Sequence, residues 1–106
     1  MSQWRINPKT ASSILVRRSG LASFELQDEA VIYDIARDTV HYLNRTARFA
    51  WDRCDGSRSI AEIADELGLI LSESNQISDE DRTAIEKGIV DSIEMLKSDG
   101  LLKARI

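Results

Sequence analysis

Asp34 to Leu67, DIARDTVHYLNRTARFAWDRCDGSRSIAEIADEL, is the most informative part of this chain. The pattern predicts a strand, a turn and a second strand, followed by two short helices that Asp55-Gly56 joins. Ser59 and Glu62 are spaced as a capping box, in which each side chain satisfies a free backbone N–H group. A small sheet that leads into packed helices favours a binding module over an enzyme.

Apolar residues recur at helical spacing on both sides of Asp55-Gly56. Asn44 is expected to cap the first helix, and we predict that Gly68 ends the second. The two apolar stripes are Ala47, Ala50, Trp51 and Cys54, and then Ile60, Ile63, Ala64 and Leu67. Residues 69–76 are predicted to form a loop.

Three strands are predicted before the first helix. Phe24 and Leu26 alternate with polar residues, Val31-Ile32-Tyr33 forms a β-branched and aromatic run, and Thr39–Leu43 supplies the third strand. Gln27-Asp28 is expected to be a turn. The strands therefore form a three-stranded antiparallel meander in an α+β fold.

A third helix is predicted near the carboxyl end of the chain. Ser78 is its expected cap, and Gly100 is expected to stop it, with Leu101-Leu102 returning to the core. Its apolar stripe consists of Ile85, Ile89, Ile93 and Leu96. The fold is thus a meander followed by three helices.

The 106 residues correspond to one domain. We expect a loosely packed N-terminal arm at residues 1–20 and a folded domain at residues 21–106. Ile14 to Arg17 could add an extra strand, and Trp4 is expected to be a packing anchor. The chain has no membrane-length apolar run and no signal-peptide pattern, which predicts a cytoplasmic protein without a membrane partner.

The charge argues against nucleic acid as a partner. The formal net charge is −4, and the basic residues are scattered apart from Arg17-Arg18, whereas phosphate binding depends on clustered basic residues. A winged-helix regulator that binds nucleic acid is the alternative function, but its second helix would present the acidic Glu62, Asp65 and Glu66.

Residue types for catalysis or metal binding are sparse. His41 is the only histidine, and no cluster of ligands surrounds it in sequence. Cys54 lies on an apolar stripe, which predicts a buried, inert thiol. Asp79-Glu80-Asp81 fits the start of a helix better than a catalytic cluster. We therefore expect no catalytic residue, no metal and no cofactor.

An ordered set of residues resembles the PqqD-like family, whose members are peptide chaperones also called RiPP recognition elements. The set is Tyr33-Asp34, Leu43-Asn44, Thr46-Ala47, Trp51, Asp55-Gly56, Ile60, Glu62-Ile63, Leu67 and Gly100-Leu101-Leu102. The resemblance covers roughly residues 22–103. It implies a small winged-helix-like domain that binds the leader of a ribosomally made precursor peptide and presents it to a modifying enzyme, often a radical SAM protein.

The resemblance also implies where the peptide lies. In the family it runs along the edge of the third strand, in a cleft closed by the third helix; these elements correspond to Thr39–Leu43 and Glu80–Asp99. The expected peptide-binding residues are Thr39, Val40, His41, Tyr42, Leu43, Glu86, Ile89, Val90 and Ile93. Val90 and Tyr42 have two interpretations, as groove residues or as structural residues of the core and the sheet. A homodimer that pairs through the same edge is a further possibility.

Overall fold

The computed structural model of this protein describes residues 8–74 and 78–105. The helices are α1 (Pro8–Ala11), α2 (Arg45–Arg53), α3 (Ile60–Ser74) and α4 (Asp79–Ser98). The strands are β1 (Ile14–Arg17), β2 (Leu21–Leu26), β3 (Glu29–Asp34), β4 (Thr39–Leu43), β5 (Asp55–Ser59) and β6 (Leu102–Ala104).

Strands β2, β3 and β4 form the predicted antiparallel meander, in that order. Alternation places Ala30 and Ile32 of β3 in the core, while Val31 and Tyr33 lie on the other face of the sheet. Each of the two connections contains one residue with a positive φ angle: Gln27 in the first (57°) and Asp38 in the second (53°). Neither is glycine, and Asp is among the polar residues that adopt this conformation more often than others. The predicted α+β fold, with three helices after the meander, is confirmed.

A second antiparallel sheet lies outside this prediction, with β1 in the centre between β5 and β6. Only β1 corresponds to a possibility raised from the sequence, the extra strand at Ile14–Arg17. Leu15 is buried, so this part of the expected arm belongs to the packed domain. Residues 1–7 of that arm, including Trp4, lie outside the described residues.

Local capping signals define the starts of the three long helices. The Asn44 side chain accepts a hydrogen bond from the Ala47 N–H at 2.9 Å. Ser78 forms a capping box with Asp81, and Ser59 exchanges the same pair of hydrogen bonds with Glu62. The predicted caps of all three helices are confirmed.

The prediction that the second helix ends at Gly68 is wrong, because α3 continues to Ser74. A glycine inside a helix costs only about 1 kcal/mol, and Leu69, Ile70 and Leu71 sustain the helix after it. The predicted loop is therefore helical to Ser74, and residues 75–77 lie outside the described part. Gly100, by contrast, has a φ of 79° directly after α4 and ends it as predicted.

One core joins the two sheets and the long helices. All four apolar residues of the first predicted stripe are buried, and Leu101 and Leu102 return to the core as expected. The largest fully buried side chains are Ile32, Leu43, Ile63, Ile89, Ile93, Leu96, Leu101 and Cys54.

Candidate functional site

Strand β4 forms one edge of the meander. In the part of the chain that the structure describes, it pairs with β3 on one side and with no strand on the other. An edge strand presents N–H and C=O groups that an extended chain can pair with. This edge is therefore able to accept another strand.

Side chains on β4 alternate between two environments. Val40 is 67% exposed and Tyr42 is also exposed, whereas Leu43 is 1% exposed and belongs to the core. His41 points to the same side as Leu43 but remains partly accessible. The edge thus has an open outer side and an inner side that faces the helices.

Two contacts show which side of α4 faces β4. His41 Nδ1 lies 3.7 Å from Asp99 Oδ2, just after the end of the helix. At the other end, a Cβ placed on Gly88 would lie 3.8 Å from Thr46 Cγ2, in the first helical turn of α2 directly after β4. The segment from β4 into α2 therefore runs opposite to α4, and we call the space between β4 and the Gly88–Asp99 side of α4 the cleft.

Helical geometry identifies the residues between these two contacts. Positions 88, 92, 95 and 99 recur at intervals of four, three and four residues and share one face of a helix. Ser92 is partly accessible, and Met95 is 44% exposed. We call Gly88, Ser92, Met95 and Asp99 the cleft stripe. It combines two small residues, one exposed apolar side chain and one carboxylate.

The predicted helix residues lie elsewhere on α4. Ile89 and Ile93 are completely buried, and Val90 also belongs to the core. Glu86 is buried as well. Val90 lies about 160° around the helix axis from Gly88, so it does not border the cleft that the stripe defines.

The expected site residues thus divide into two groups. Thr39, Val40 and Tyr42 are exposed on the edge strand, and His41 lies at the entrance of the cleft. The remaining ones are buried and have little surface to offer a ligand: Leu43, Glu86, Ile89, Val90 and Ile93. Apolar periodicity indicates only the buried face of α4, and the cleft stripe is the neighbouring face of the same helix.

Arg37 connects the β3–β4 turn to the end of α4 by a hydrogen bond. Its guanidinium donates to the Asp99 carbonyl oxygen at 3.3 Å, and its backbone N–H donates to the buried Asp34 carboxylate at 3.3 Å. His41 contacts the Asp99 side chain at the same place. These contacts connect sheet and helix at one end of the cleft.

Tyr42 has a partner of its own. Its hydroxyl donates a hydrogen bond to the Glu29 carboxylate, and this bond raises the pKa of Tyr42 above its ordinary value. The polar end of this exposed side chain thus lies near a carboxylate on the outer side of the edge.

At the opposite edge of the meander, β2 is joined to α2 rather than bordered by α4. Arg48, on α2, lies beside it and donates to the carbonyl oxygen of Gln27 and to Glu25 at 2.6 Å. These bonds join α2 to the first turn and to one side chain of β2. The β4 edge, with α4 alongside, is thus the better site for an added strand.

Three further features of the described residues concern the cysteine thiol, metal ligands and helix length. Burial raises the pKa of the Cys54 thiol to about 11, although the nearby positive charge of Arg17 opposes the shift. Such a thiol is a poor nucleophile. Within residues 8–74 and 78–105, no group of three or more His, Cys, Asp or Glu side chains is arranged to hold a metal ion. In the same ranges, no helix has the length and apolar character that crossing a membrane requires.

Comparisons with known proteins identify a family and proteins of the same fold. The sequence profile of a family described as coenzyme PQQ synthesis protein D (PqqD) matches residues 29–102. A solved structure of TbiB1 in complex with the TbiA(beta) leader peptide is 18% identical, with a TM-score of 0.66 over 86% of this chain and 98% of that chain. Lasso peptide synthetase B1 complexed with the leader peptide is 21% identical, with a TM-score of 0.63 over 84% and 96%. These likenesses show a shared fold. Among curated proteins, no sequence matches significantly.

Proposed function

Because this chain belongs to the PqqD family, we propose that it binds the leader segment of a ribosomally made precursor peptide and presents it to a modifying enzyme. The single observation that carries the proposal is the edge of β4 beside the cleft stripe, which no strand of the described residues occupies. Two proteins of the same fold are solved as complexes with leader peptides, which supports the same role here.

Strand addition supplies the main-chain part of the binding. An extended leader beside Thr39–Leu43 pairs its N–H and C=O groups with those of β4. Ordering a disordered peptide costs about 1–2 kcal/mol for each residue that is fixed. Edge hydrogen bonds contribute only about 0.5–1.5 kcal/mol each, so the leader also needs side-chain contacts.

The cleft stripe supplies these contacts. Alternate side chains of a strand are about 6.6 Å apart on one face. Consecutive members of the stripe are about 4.5–6 Å apart along the helix axis. Over the whole stripe the two spacings add up to about 20 Å and about 16.5 Å, so alternate leader side chains run past the stripe with a mismatch of only about 3 Å. We infer an apolar leader residue against Met95 and a bulky one over Gly88 and Ser92, where the helix carries little side-chain volume.

The chain itself is proposed to be a binding partner rather than a catalyst. The PqqD-family match and the absence of a reactive constellation among the described residues support this role. The chemistry would belong to the modifying enzyme; that it is a radical SAM protein stays a prediction from the family. A nucleic-acid regulator is not supported by the comparisons, and the exposed Glu62 on α3 would repel phosphates.

A titration followed by NMR tests the proposal. The ligand is a synthetic peptide that spans the leader of the short precursor encoded beside the gene for this chain. We expect micromolar or tighter binding, about −8 kcal/mol or better. Backbone amide shifts should concentrate in Thr39–Leu43 and in the Gly88–Asp99 side of α4. Shifts confined to Arg17-Arg18 and α3, or no binding at all, would contradict it.

A further inference from the structure

The outer face of the meander is apolar, and no other element within residues 8–74 and 78–105 packs on it. The exposed apolar side chains on it are Phe24, Leu26, Val40 and Tyr42. Cross-strand pairing aligns Phe24, Val31 and Tyr42 in one row, and Ala22, Tyr33 and Val40 in the next. A continuous apolar patch of a few hundred Å² on the surface of a monomer is often a functional surface.

We propose that this outer face docks the enzyme that modifies the bound peptide, through an enzyme surface that is apolar in the centre and basic at the rim. The inference rests on the proposed function, since it assigns a partner to the peptide-loaded protein. It concerns a surface distinct from the cleft, on the opposite side of the sheet from α4.

Charge at the rim argues for a partner of opposite sign. The Tyr33 hydroxyl donates to Asp38 Oδ1 at 2.6 Å, and the Tyr42 hydroxyl donates to Glu29. One carboxylate thus lies at each end of the face. In a face-to-face dimer of this chain, two acidic rims and two net charges of −4 would meet. A different protein that carries Lys or Arg around an apolar centre fits this surface better than a second copy.

The outer face is continuous with the peptide edge. Val40 and Tyr42 belong both to the face and to the strand that accepts the leader. A leader paired with β4 adds a fourth strand, and its alternate side chains extend the same face. The enzyme would therefore contact protein and peptide together.

Size favours the loaded form as the docking partner. Three strands of about six residues present a face of roughly 20 by 15 Å, on the order of 300 Å². A stable interface usually covers about 800 Å² on each partner. The face alone is too small, so a fourth strand should raise the affinity for the enzyme measurably.

The test uses the full chain, the precursor leader and the purified peptide-modifying enzyme encoded beside the gene. The variant carries Phe24→Ser and Leu26→Ser. Both residues lie on β2, which β3 separates from the β4 edge. Leu69→Ser, at a residue 64% exposed on α3, is the matched control for loss of an exposed apolar side chain. Circular dichroism verifies the fold, and titrations measure leader and enzyme binding separately.

We expect the double variant to bind the leader with unchanged affinity and the enzyme at least about tenfold more weakly. The control should bind both normally. Enzyme affinity that stays within about twofold in the double variant, or an enzyme that does not bind the loaded wild type, would overturn the inference. Loss of leader binding by the wild type would instead contradict the proposed function.

Two further measurements distinguish the modifying enzyme from a second copy of this chain as the partner of the outer face. Asp38→Asn keeps a side chain that tolerates the positive φ at this position and removes the rim charge. It should weaken enzyme binding by a few fold and reduce its salt dependence. Sedimentation of the wild type should show a monomer; a dimer that the double variant abolishes would assign the face to a second copy and overturn the proposal.

Discussion

Strand β4 and helix α4 each have a buried side and an open side, and the two sides differ in what they contribute. Leu43 and Ile93 are buried in the core, while Val40 on the same strand and Met95 on the same helix are exposed. Both sides are partly apolar, so composition does not distinguish them. What distinguishes them is whether another element of the chain packs against them: the buried side stabilises the fold, and the open side remains available to a partner.

Val90→Glu is the strongest test of this division. Val90 belongs to the core, so a carboxylate there would be buried without a partner. We expect the free energy of unfolding to fall by several kcal/mol, a large share of a total of about 5–15 kcal/mol. Far-UV circular dichroism and thermal unfolding measure the effect. A folded variant that has lost only peptide binding would instead place Val90 in the groove.

The pH dependence of the free energy of unfolding tests whether Cys54 is buried in the core. The pKa of its thiol is raised from 9.0 to about 11 in the folded protein, so the folded state holds its proton more tightly than the unfolded state. The resulting stability is complete below pH 9 and is lost as the pH rises to about 11. The loss should be about 2–3 kcal/mol. Urea unfolding across this range should show a shallower pH dependence for Cys54→Ala than for the wild type; parallel curves would contradict the assignment.

Met95→Glu tests the open side. Because Met95 is exposed, the variant should fold with a free energy of unfolding within about 0.5 kcal/mol of the wild type. A charge in the cleft should weaken leader binding at least about tenfold, or 1.4 kcal/mol. Ser98→Glu is the matched control, since it adds the same charge to an exposed position outside the cleft stripe. Calorimetric titration measures both, and equal leader affinities for the two variants would remove Met95 from the site.

Gly68→Ala should give the smallest effect and the opposite sign. Gly68 lies inside α3, and a Cβ added there meets no atom within 4 Å. Alanine should therefore stabilise the fold by about 0.5–1 kcal/mol, because it lowers the conformational entropy of the unfolded chain and has a higher helix propensity than glycine. Chemical unfolding measures the change. A destabilised variant would show that the end of α3 is less regular than its continuation to Ser74 indicates.

Local signals in the sequence predict most of the meander and the starts of the helices. Asn44, Ser59 and Ser78 define caps because each depends on neighbours within three residues. The second sheet could not be predicted in the same way. β5 and β6 are short, and β5 consists of polar residues and glycine; they become strands because β1 pairs with both.

The candidate site shows the same limit. The edge strand Thr39–Leu43 is evident from its alternation, and the buried stripe of α4 from its apolar period. Which face of α4 borders the edge depends on the contacts of Thr46 with Gly88 and of His41 with Asp99, which join residues 42 and 58 positions apart. Periodicity shows that a helix has faces, but it does not show which element each face meets.

The amino-acid sequence was sufficient for the meander, the starts of the three long helices and the fold class, because these depend mainly on interactions between near neighbours along the chain. The position of the cleft stripe, the second sheet and the uncovered outer face of the meander follow from long-range packing. Packing determines which apolar residues are removed from water and which remain exposed, and that distribution between core and surface is what separates a structural side chain from one that can bind a partner.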